Sequence, residues 1–276
     1  MVKTRWIRLL VVSALTYTGF CVALACWKEQ LIFPLHGVER ARALTPPPDA
    51  RVWWREIAPG ERVEAWFFPG RGRTADKRGP AVVCFHGNGE LIDDNLDTVR
   101  AFTALGVSVL LVEYRGYGRS GGKPEVDGIS ADAAVWFDRL AVQPEVKPDE
   151  VMTYGFSLGS AFAAQLAEAR PVAALMLESP FTSLPAMGRR QGVYLYLSSE
   201  RLATDEVLRA LPVGVPVLIT HQKNDPVIPV GEGRKLAALR PEAMYVEGEA
   251  EHFPFAMMQS GHTLLRQFLG KFTPTD

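Results

Sequence analysis

Three residues of this chain stand in an order that can support nucleophilic chemistry: Ser157, Asp225 and His252. Ser157 lies in "YGFSLGSA", with Gly155 two residues before it and Gly159 two residues after it. A serine hydroxyl attacks a carbonyl only when a base takes its proton. That base in turn needs an acid to fix its tautomer and support its positive charge. Glycines on both sides leave room for a sharp turn from strand to helix, which lifts the serine oxygen clear of the backbone. A serine between glycines can equally do no more than bond nearby backbone, so the motif depends on its partners. "VPVLITHQKNDPVIP" ends a strand-like run and delivers Asp225, and "AMYVEGEAEH" ends the next one and delivers His252. Serine, acid, histidine is the order expected when a G-x-S-x-G elbow carries a triad. His221 ends its strand ahead of the acid and His262 falls within the last helical pattern, so both read as structural. Glu178, after "LML", also ends a strand and is the alternative acid, ranked behind Asp225.

Attack on a carbonyl creates an oxyanion that needs hydrogen-bond donors. The backbone N–H of Leu158, directly after the serine, is one candidate, and the loop "HGNGE" (86–90) should supply the other through Asn88. Gly87 and Gly89 let that loop approach a substrate, and His86 reads as a residue that shapes it. A competing motif, "GYGRSG" with Gly116, Gly118 and Gly121, has the spacing of a dinucleotide-binding turn. That turn needs a helix opening on its glycines and an acid about 20 residues on. Here "GKPEVDG" follows instead, and Ala141 stands at the distant position.

The elements that must position these residues follow from periodicity. "RVWWREI" and "RVEAWFF", joined by "APGE", read as an antiparallel hairpin, although the second run alternates imperfectly. From residue 80 onward, short apolar strands alternate with helices. The strands are "AVVCF" (81–85), "VSVLLVEY" (107–114), "VMTYG" (151–155), "VAALMLE" (172–178), "VPVLITH" (215–221) and "AMYVE" (243–247). Between and after them, 90–106, 129–141, 160–169, 232–239 and 257–272 read as helices. Continuous apolar strands separated by helices predict an α/β fold with a mostly parallel sheet covered on both faces. Ser157, Asn88, Asp225 and His252 all fall just beyond strand ends, where such sheets gather ligands.

The N-terminal segment is a separate object. Lys3, Arg5 and Arg8 precede Leu9–Trp27, which contains no charged residue and is long enough to cross a bilayer. The basic leader favours a cytoplasmic N-terminus, with the rest of the chain on the other side. "VALAC" ending at Cys26 also resembles a lipoprotein signal, and "ALA" would suit a signal peptidase. Residues 1–30 are thus expected to be an anchor or signal, 31–50 a linker containing "LTPPPDA", and 51–276 the folded domain. The chain has 276 residues, 47% of them hydrophobic, and a net charge of -1 with no long run of one sign. That balance gives no footing for nucleic acid. Three cysteines form no paired framework and have no metal-ligand spacing with histidine, so neither a disulfide scaffold nor a metal cofactor is expected.

"HGNGE", "EYRGYGRSGG", "GFSLGSA", "LESPFTSL", "HQKNDPVIP" and "EAEHFPF" together resemble the α/β-hydrolase superfamily over nearly all of residues 50–272. With an N-terminal anchor and "LIFP" soon after it, the chain is similar to the single-pass α/β-hydrolase-domain (ABHD-type) serine hydrolases. The resemblance implies an eight-stranded α/β-hydrolase fold, a triad of Ser157, Asp225 and His252, and acyl-ester or thioester substrates with no cofactor. The chain departs from the family pattern at Glu251 and Gln222, where glycine is usual, and at Ser160, where many members carry a second glycine. None of these changes removes a triad member.

Residues 179–214 separate two strands and are expected to form a short cap. Phe181, Tyr194 and Tyr196 are candidates to line an acyl pocket, or else they pack the cap onto the body. The sequence therefore favours a membrane-tethered serine hydrolase for esters or thioesters, acting on a small acyl substrate that includes lipids. An amidase of aminopeptidase type is the alternative within enzymes. A membrane-anchored binding module that has kept an unused site is the alternative outside them.

Overall fold

The computed structural model of the protein describes residues 2–33, 38, 46–194 and 201–273. Two helices open the chain, α1 (Val2–Cys26) and α2 (Lys28–Ile32). The hairpin follows as β1 (Arg51–Ala58) and β2 (Glu61–Phe68), then β3 (Gly79–Phe85), α3 (Leu96–Ala104), β4 (Ser108–Val112), α4 (Val126–Ala141), β5 (Val146–Phe156) and α5 (Leu158–Ala169). The second half contains β6 (Leu175–Glu178), α6 (Leu184–Arg190), α7 (Thr204–Ala210), β7 (Val217–Gln222), α8 (Gly231–Leu239), β8 (Met244–Gly248) and α9 (Gln259–Leu269).

All eight strands form one sheet in the order β1-β2-β4-β3-β5-β6-β7-β8. β2 runs antiparallel to both its neighbours, and every pairing from β4 to β8 is parallel. Successive residues of a strand point to opposite faces, and here both faces are buried. Val83 and Phe85 join α4 and α5 in one apolar cluster, while Val82 and Cys84 join α3 and α9 in the other. This explains why β2 alternates poorly in sequence. Val63, Ala65 and Phe67 serve the first cluster, and Trp66 and Phe68 serve the second. Glu64 on β2 is buried as well, and is held by Arg119 and by the Trp66 ring N–H.

β3 lies between β4 and β5, so successive connections leave it in opposite directions. Such a reversal opens a crevice at the carboxyl ends of the strands. The register pairs Phe85 with Gly155, so three residues further on the loop at Asn88 and the turn at Leu158 stand side by side above the sheet.

One helix differs from the sequence expectation. Residues 90–106 give only a single 3₁₀ turn at Ile92–Asp94 and then α3. The Asp94 carboxylate accepts the Leu91 N–H at 2.9 Å, and the Asn95 amide donates to Leu91 O at 3.1 Å. Local side-chain bonds of this kind compete with the helical ladder. Among the described residues, α1 is the one helix long and apolar enough to cross a membrane, a description that a signal sequence also meets. Cys21, Cys26 and Cys84 are all free thiols.

The tight turn after β5 makes a stability prediction. A Cβ on Gly155 would overlap the Gly159 carbonyl, and one on Gly159 would overlap the Phe85 carbonyl. Overpacking against backbone cannot be relieved by rotating a side chain. Gly155→Ala is expected to lower the unfolding free energy by about 3 kcal/mol or more, measured by denaturant titration.

Candidate active site

Ser157 joins β5 directly to α5 with φ 54° and ψ −121°. Positive φ in a non-glycine residue is strained and persists only where the surroundings enforce it. They do so here through two hydrogen bonds and a pair of glycines. The Ser157 N–H donates to Glu178 O at 2.9 Å, and the Ser160 hydroxyl donates to Ser157 O at 2.6 Å. The absent side chains of Gly155 and Gly159 let α5 begin against the ends of β3 and β5. The serine hydroxyl is thereby fixed at the top of the sheet, with Ser157 only 7% exposed.

The loops after β7 and β8 bring the two partners to it. The Ser157 hydroxyl donates to His252 Nε2 at 2.9 Å, and His252 Nδ1–H donates to Asp225 Oδ2 at 2.6 Å. Asp225 is positioned by its own loop, since Oδ1 accepts the N–H groups of Val227 (2.9 Å) and Ile228 (2.8 Å). Burial works to raise the Asp225 pKa, but the hydrogen bonds from His252 and the two amides outweigh it. The net shift is downward. The acid is therefore an anion at neutral pH, and it fixes the imidazole tautomer that leaves Nε2 free to accept from serine. The His252 ring packs on Phe156, with centroids 4.8 Å apart. Glu251, the residue that departs from the family pattern, is exposed to solvent, where its charge is screened.

Glu178, the alternative acid, turns the other way. Its carboxyl accepts from the Tyr154 hydroxyl at 3.0 Å and from Ala256 N–H at 3.2 Å. Ala256 lies four residues beyond His252, so Glu178 supports the histidine loop from below and does not touch the ring. Burial pushes its pKa up to about 8, against these hydrogen bonds. His221 is buried 3.6 Å from Asp225 and donates Nε2–H to Ile228 O, so it packs behind the acid. His262 lies on α9 at an exposed position.

The "HGNGE" loop is held from below by a pair that the sequence reading did not single out. Both nitrogens of buried His86 face acceptors, Gly87 O and Glu113 Oε1, each at 2.8 Å. Burial is the largest influence and lowers the His86 pKa, but the Glu113 carboxylate, the Gly87 carbonyl and Glu90 together outweigh it and the net shift is upward. Glu113 also accepts the Ile92 N–H, and Glu90 accepts the Gly87 N–H at 2.7 Å. The Gly87 amide is thus engaged. The Asn88 side chain is clamped from both ends, receiving the Tyr117 hydroxyl at 2.8 Å and donating to Ile32 O at 2.7 Å. An acid directly following the β4 run, Glu113 in "EYRGYG", was the available signal.

Of the pocket candidates, Phe181 is buried in the main apolar cluster and Tyr196 lies outside the described residues. Tyr194 is 74% exposed, so it does not line an enclosed pocket. Its backbone N–H donates to the hydroxyl of Tyr17 on α1 at 2.7 Å. Among the described residues, no cluster of His, Cys, Asp and Glu has the arrangement of a metal site.

A hydroxyl, an imidazole and a carboxylate in series above a mostly parallel sheet define a hydrolase-type nucleophilic site, and comparison with known proteins agrees on the family. The serine aminopeptidase S33 family model, Hydrolase_4, matches residues 76–199. Rv2307c, an uncharacterized protein of Mycobacterium tuberculosis, is 34% identical over 247 residues, covering 87% of this chain and 85% of that protein. Lysophosphatidylserine lipase ABHD12 of Rattus norvegicus is 28% identical over 258 residues, which span 81% of this chain but only 62% of the lipase. In three dimensions the Pyrococcus furiosus esterase Pf2001 superposes with a TM-score of 0.68 at 17% identity, over 85% of this chain and 97% of the esterase. The chain belongs to the α/β-hydrolase superfamily, as its motifs suggest, and it has that fold.

The neutral buried Glu178 predicts a pH dependence of stability. In the unfolded chain this carboxyl ionises near 4.5, whereas the fold holds its proton to about 8. Between those values the folded state binds the extra proton, so stability falls as pH rises, by about 1.4 kcal/mol per pH unit at most. Glu178→Gln keeps the shape and removes the proton. Its stability relative to wild type is expected to increase from pH 5 to pH 8, as read from thermal unfolding across that range.

Proposed function

We propose that the protein is a membrane-tethered serine hydrolase that cleaves carboxylic esters or thioesters through an acyl-enzyme. The observation that carries this reading is the hydrogen-bonded series Ser157–His252–Asp225 on a strained elbow. A purely structural serine needs neither a base at 2.9 Å nor an acid behind that base. In the proposed reaction Ser157 Oγ attacks the substrate carbonyl while His252 Nε2 takes its proton, and Asp225 supports the resulting imidazolium. The oxyanion is received by the N–H groups of Leu158, the first amide of α5, and Asn88. His252 then protonates the departing alcohol or thiol, and a water activated by the same ring releases the acid and restores Ser157.

Esters are favoured over amides by two relatives whose names describe a lipase and an esterase. The aminopeptidase description of the matched family keeps an amide-cleaving reading as second choice. Anchoring is proposed for α1, retained with its basic end in the cytoplasm and residues 51–276 as the catalytic domain on the opposite side. Residues 179–214 are its cap.

A fluorophosphonate probe reports serine activation directly. Wild type is expected to be labelled and Ser157→Ala to remain unlabelled. Asp225→Asn should lower kcat on a soluble ester by roughly 10,000-fold, because the imidazole is then held in the wrong tautomer. Labelling of Ser157→Ala equal to wild type would remove Ser157 from the mechanism. Faster turnover of an aminoacyl amide than of the matched ester would favour the second reading.

A further inference from the structure

The segment after α1 reads from sequence as a linker, yet it is bonded to the site. α2 ends at Ile32, and a helix leaves its last carbonyls without partners of its own. Pro34 follows Phe33 in the chain, and a residue before proline is pushed out of the helical region. Phe33 accordingly stands at φ −119° and ψ 75°, so the helix stops and the Ile32 carbonyl needs a partner from elsewhere. Asn88 supplies it, donating its side-chain amide to Ile32 O at 2.7 Å.

The other end of the Asn88 side chain leads back to the same segment. Its oxygen accepts the Tyr117 hydroxyl at 2.8 Å. The residue after Tyr117, Gly118, donates its N–H to Val38 O at 2.7 Å. Gly118 has φ 52°, a conformation that glycine adopts without penalty, and it belongs to "GYGRSG", the turn that the triad chemistry leaves unused. The Tyr117 ring is fully buried between its neighbours, with centroids 5.5 Å from Tyr114 and 6.0 Å from His86. Both partners of Asn88 are therefore tied to the stretch that contains Ile32, Phe33 and Val38.

That stretch is itself held by apolar burial. Phe33 is 2% exposed and stacks on Phe162 of α5, with centroids 6.3 Å apart. Val38 is 1% exposed, and both residues join the apolar cluster that contains Phe85, Tyr114 and Tyr117. Removing a phenylalanine ring from water is enough to dock a short segment onto a formed surface. Retention of α1, lipidation at Cys26 and cleavage after Ala25 would all leave these residues in the mature chain.

An oxyanion donor works only where it is aimed at the developing charge, and a misplacement of about 1 Å can cost roughly 100-fold in rate. We propose that Ile32, Phe33 and Val38 form a strap that positions the oxyanion loop, holding the Asn88 side chain at both ends and so setting where its backbone N–H points. They are positioning residues, acting through Asn88. The catalytic unit then begins at Ile32, ahead of the boundary at residue 51 that the sequence suggests, and only the five residues of α2 separate the strap from α1. The catalytic part rests on the serine-hydrolase reading above; the bonding of strap to loop does not.

The test uses the full chain in detergent micelles and has two readouts, the first being turnover of a soluble short-chain ester. Asn88→Ala keeps the backbone N–H and loses both side-chain bonds, and is expected to lower kcat by roughly 100-fold while KM moves less than about threefold. Phe33→Ala should lower kcat by about 10-fold or more, and Phe33→Leu, which keeps most of the buried bulk, should restore most of it. Because Phe33 acts through Asn88, the double variant should fall no more than about threefold below Asn88→Ala alone. Losses that multiply, or wild-type kcat in Phe33→Ala, would overturn the inference. The second readout is amide hydrogen exchange, for which the Phe33 N–H, bonded to Glu29 O at 2.7 Å, is a reporter. Coupling is reciprocal, so Asn88→Ala should speed exchange in the peptide containing Phe33, and Phe33→Ala in the peptide containing Gly87–Glu90. The Asn88→Ala arm leaves the core intact and decides the matter if Phe33→Ala does not fold; unchanged exchange around Phe33 there contradicts the strap. Exchange needs no turnover. Coupled exchange in a protein that neither cleaves esters nor takes a fluorophosphonate label would remove the hydrolase reading and leave the strap standing.

Discussion

The left-handed backbone of Ser157 is the constraint on which the rest of the site depends. A non-glycine residue at φ 54° costs on the order of 1–3 kcal/mol, and its neighbours hold it there. Glu178 O takes its N–H, Ser160 takes its carbonyl, and two glycines let α5 start against the backbone of β3 and β5. The strain aims the hydroxyl at His252 and leaves the first amide of α5 beside the loop after β3. Relaxing the turn would therefore disturb the Ser157 hydroxyl and the Leu158 amide together.

Around that turn, buried acids do the positioning, and each is accommodated differently. Asp225 remains an anion because His252 and two backbone amides compensate its loss of water. Glu113 is hydrogen-bonded to His86 and raises its pKa, so the base of the "HGNGE" loop is a buried polar pair. Such a pair adds little net stability over apolar packing, but breaking one side is costly, which favours one loop conformation over others. Glu178 has no cation within reach of its carboxyl in its hydrogen-bond set, and burial keeps it protonated instead. Three carboxyls thus brace the site: Asp225 holds the His252 ring, Glu113 the base of the "HGNGE" loop, and Glu178 the loop that carries His252.

The sequence revealed the elements of the sheet and the order of Ser157, Asp225 and His252, which the fold brings into one hydrogen-bonded series, because strand runs and strand-end positions are local signals. Distinguishing Asp225 from Glu178 was harder. Both are acids at strand ends, and only their placement separates them, one on the His252 ring and the other beneath the loop that carries it. Glu113 was missed for a similar reason, since its partner His86 is 27 residues away and neither residue alone signals a pair. The overlong helix at 90–106 failed because Asp94 and Asn95 bond their own backbone, a choice that hydrophobic periodicity does not register. Tyr194 is aromatic like a pocket residue, but its backbone is bonded to Tyr17, 177 positions earlier in the chain, and its side chain is exposed.

The central claim is that Ser157 becomes covalently acylated during turnover. Rapid mixing with a chromogenic short-chain ester should give a burst of leaving group equal in amount to the enzyme, followed by slower steady release. Acid quenching within the burst should yield a mass increase of one acyl group, located by peptide mapping to the fragment containing Ser157. Turnover with no burst, together with no acyl mass on that fragment when deacylation is slowed by a bulky acyl group, would contradict the account.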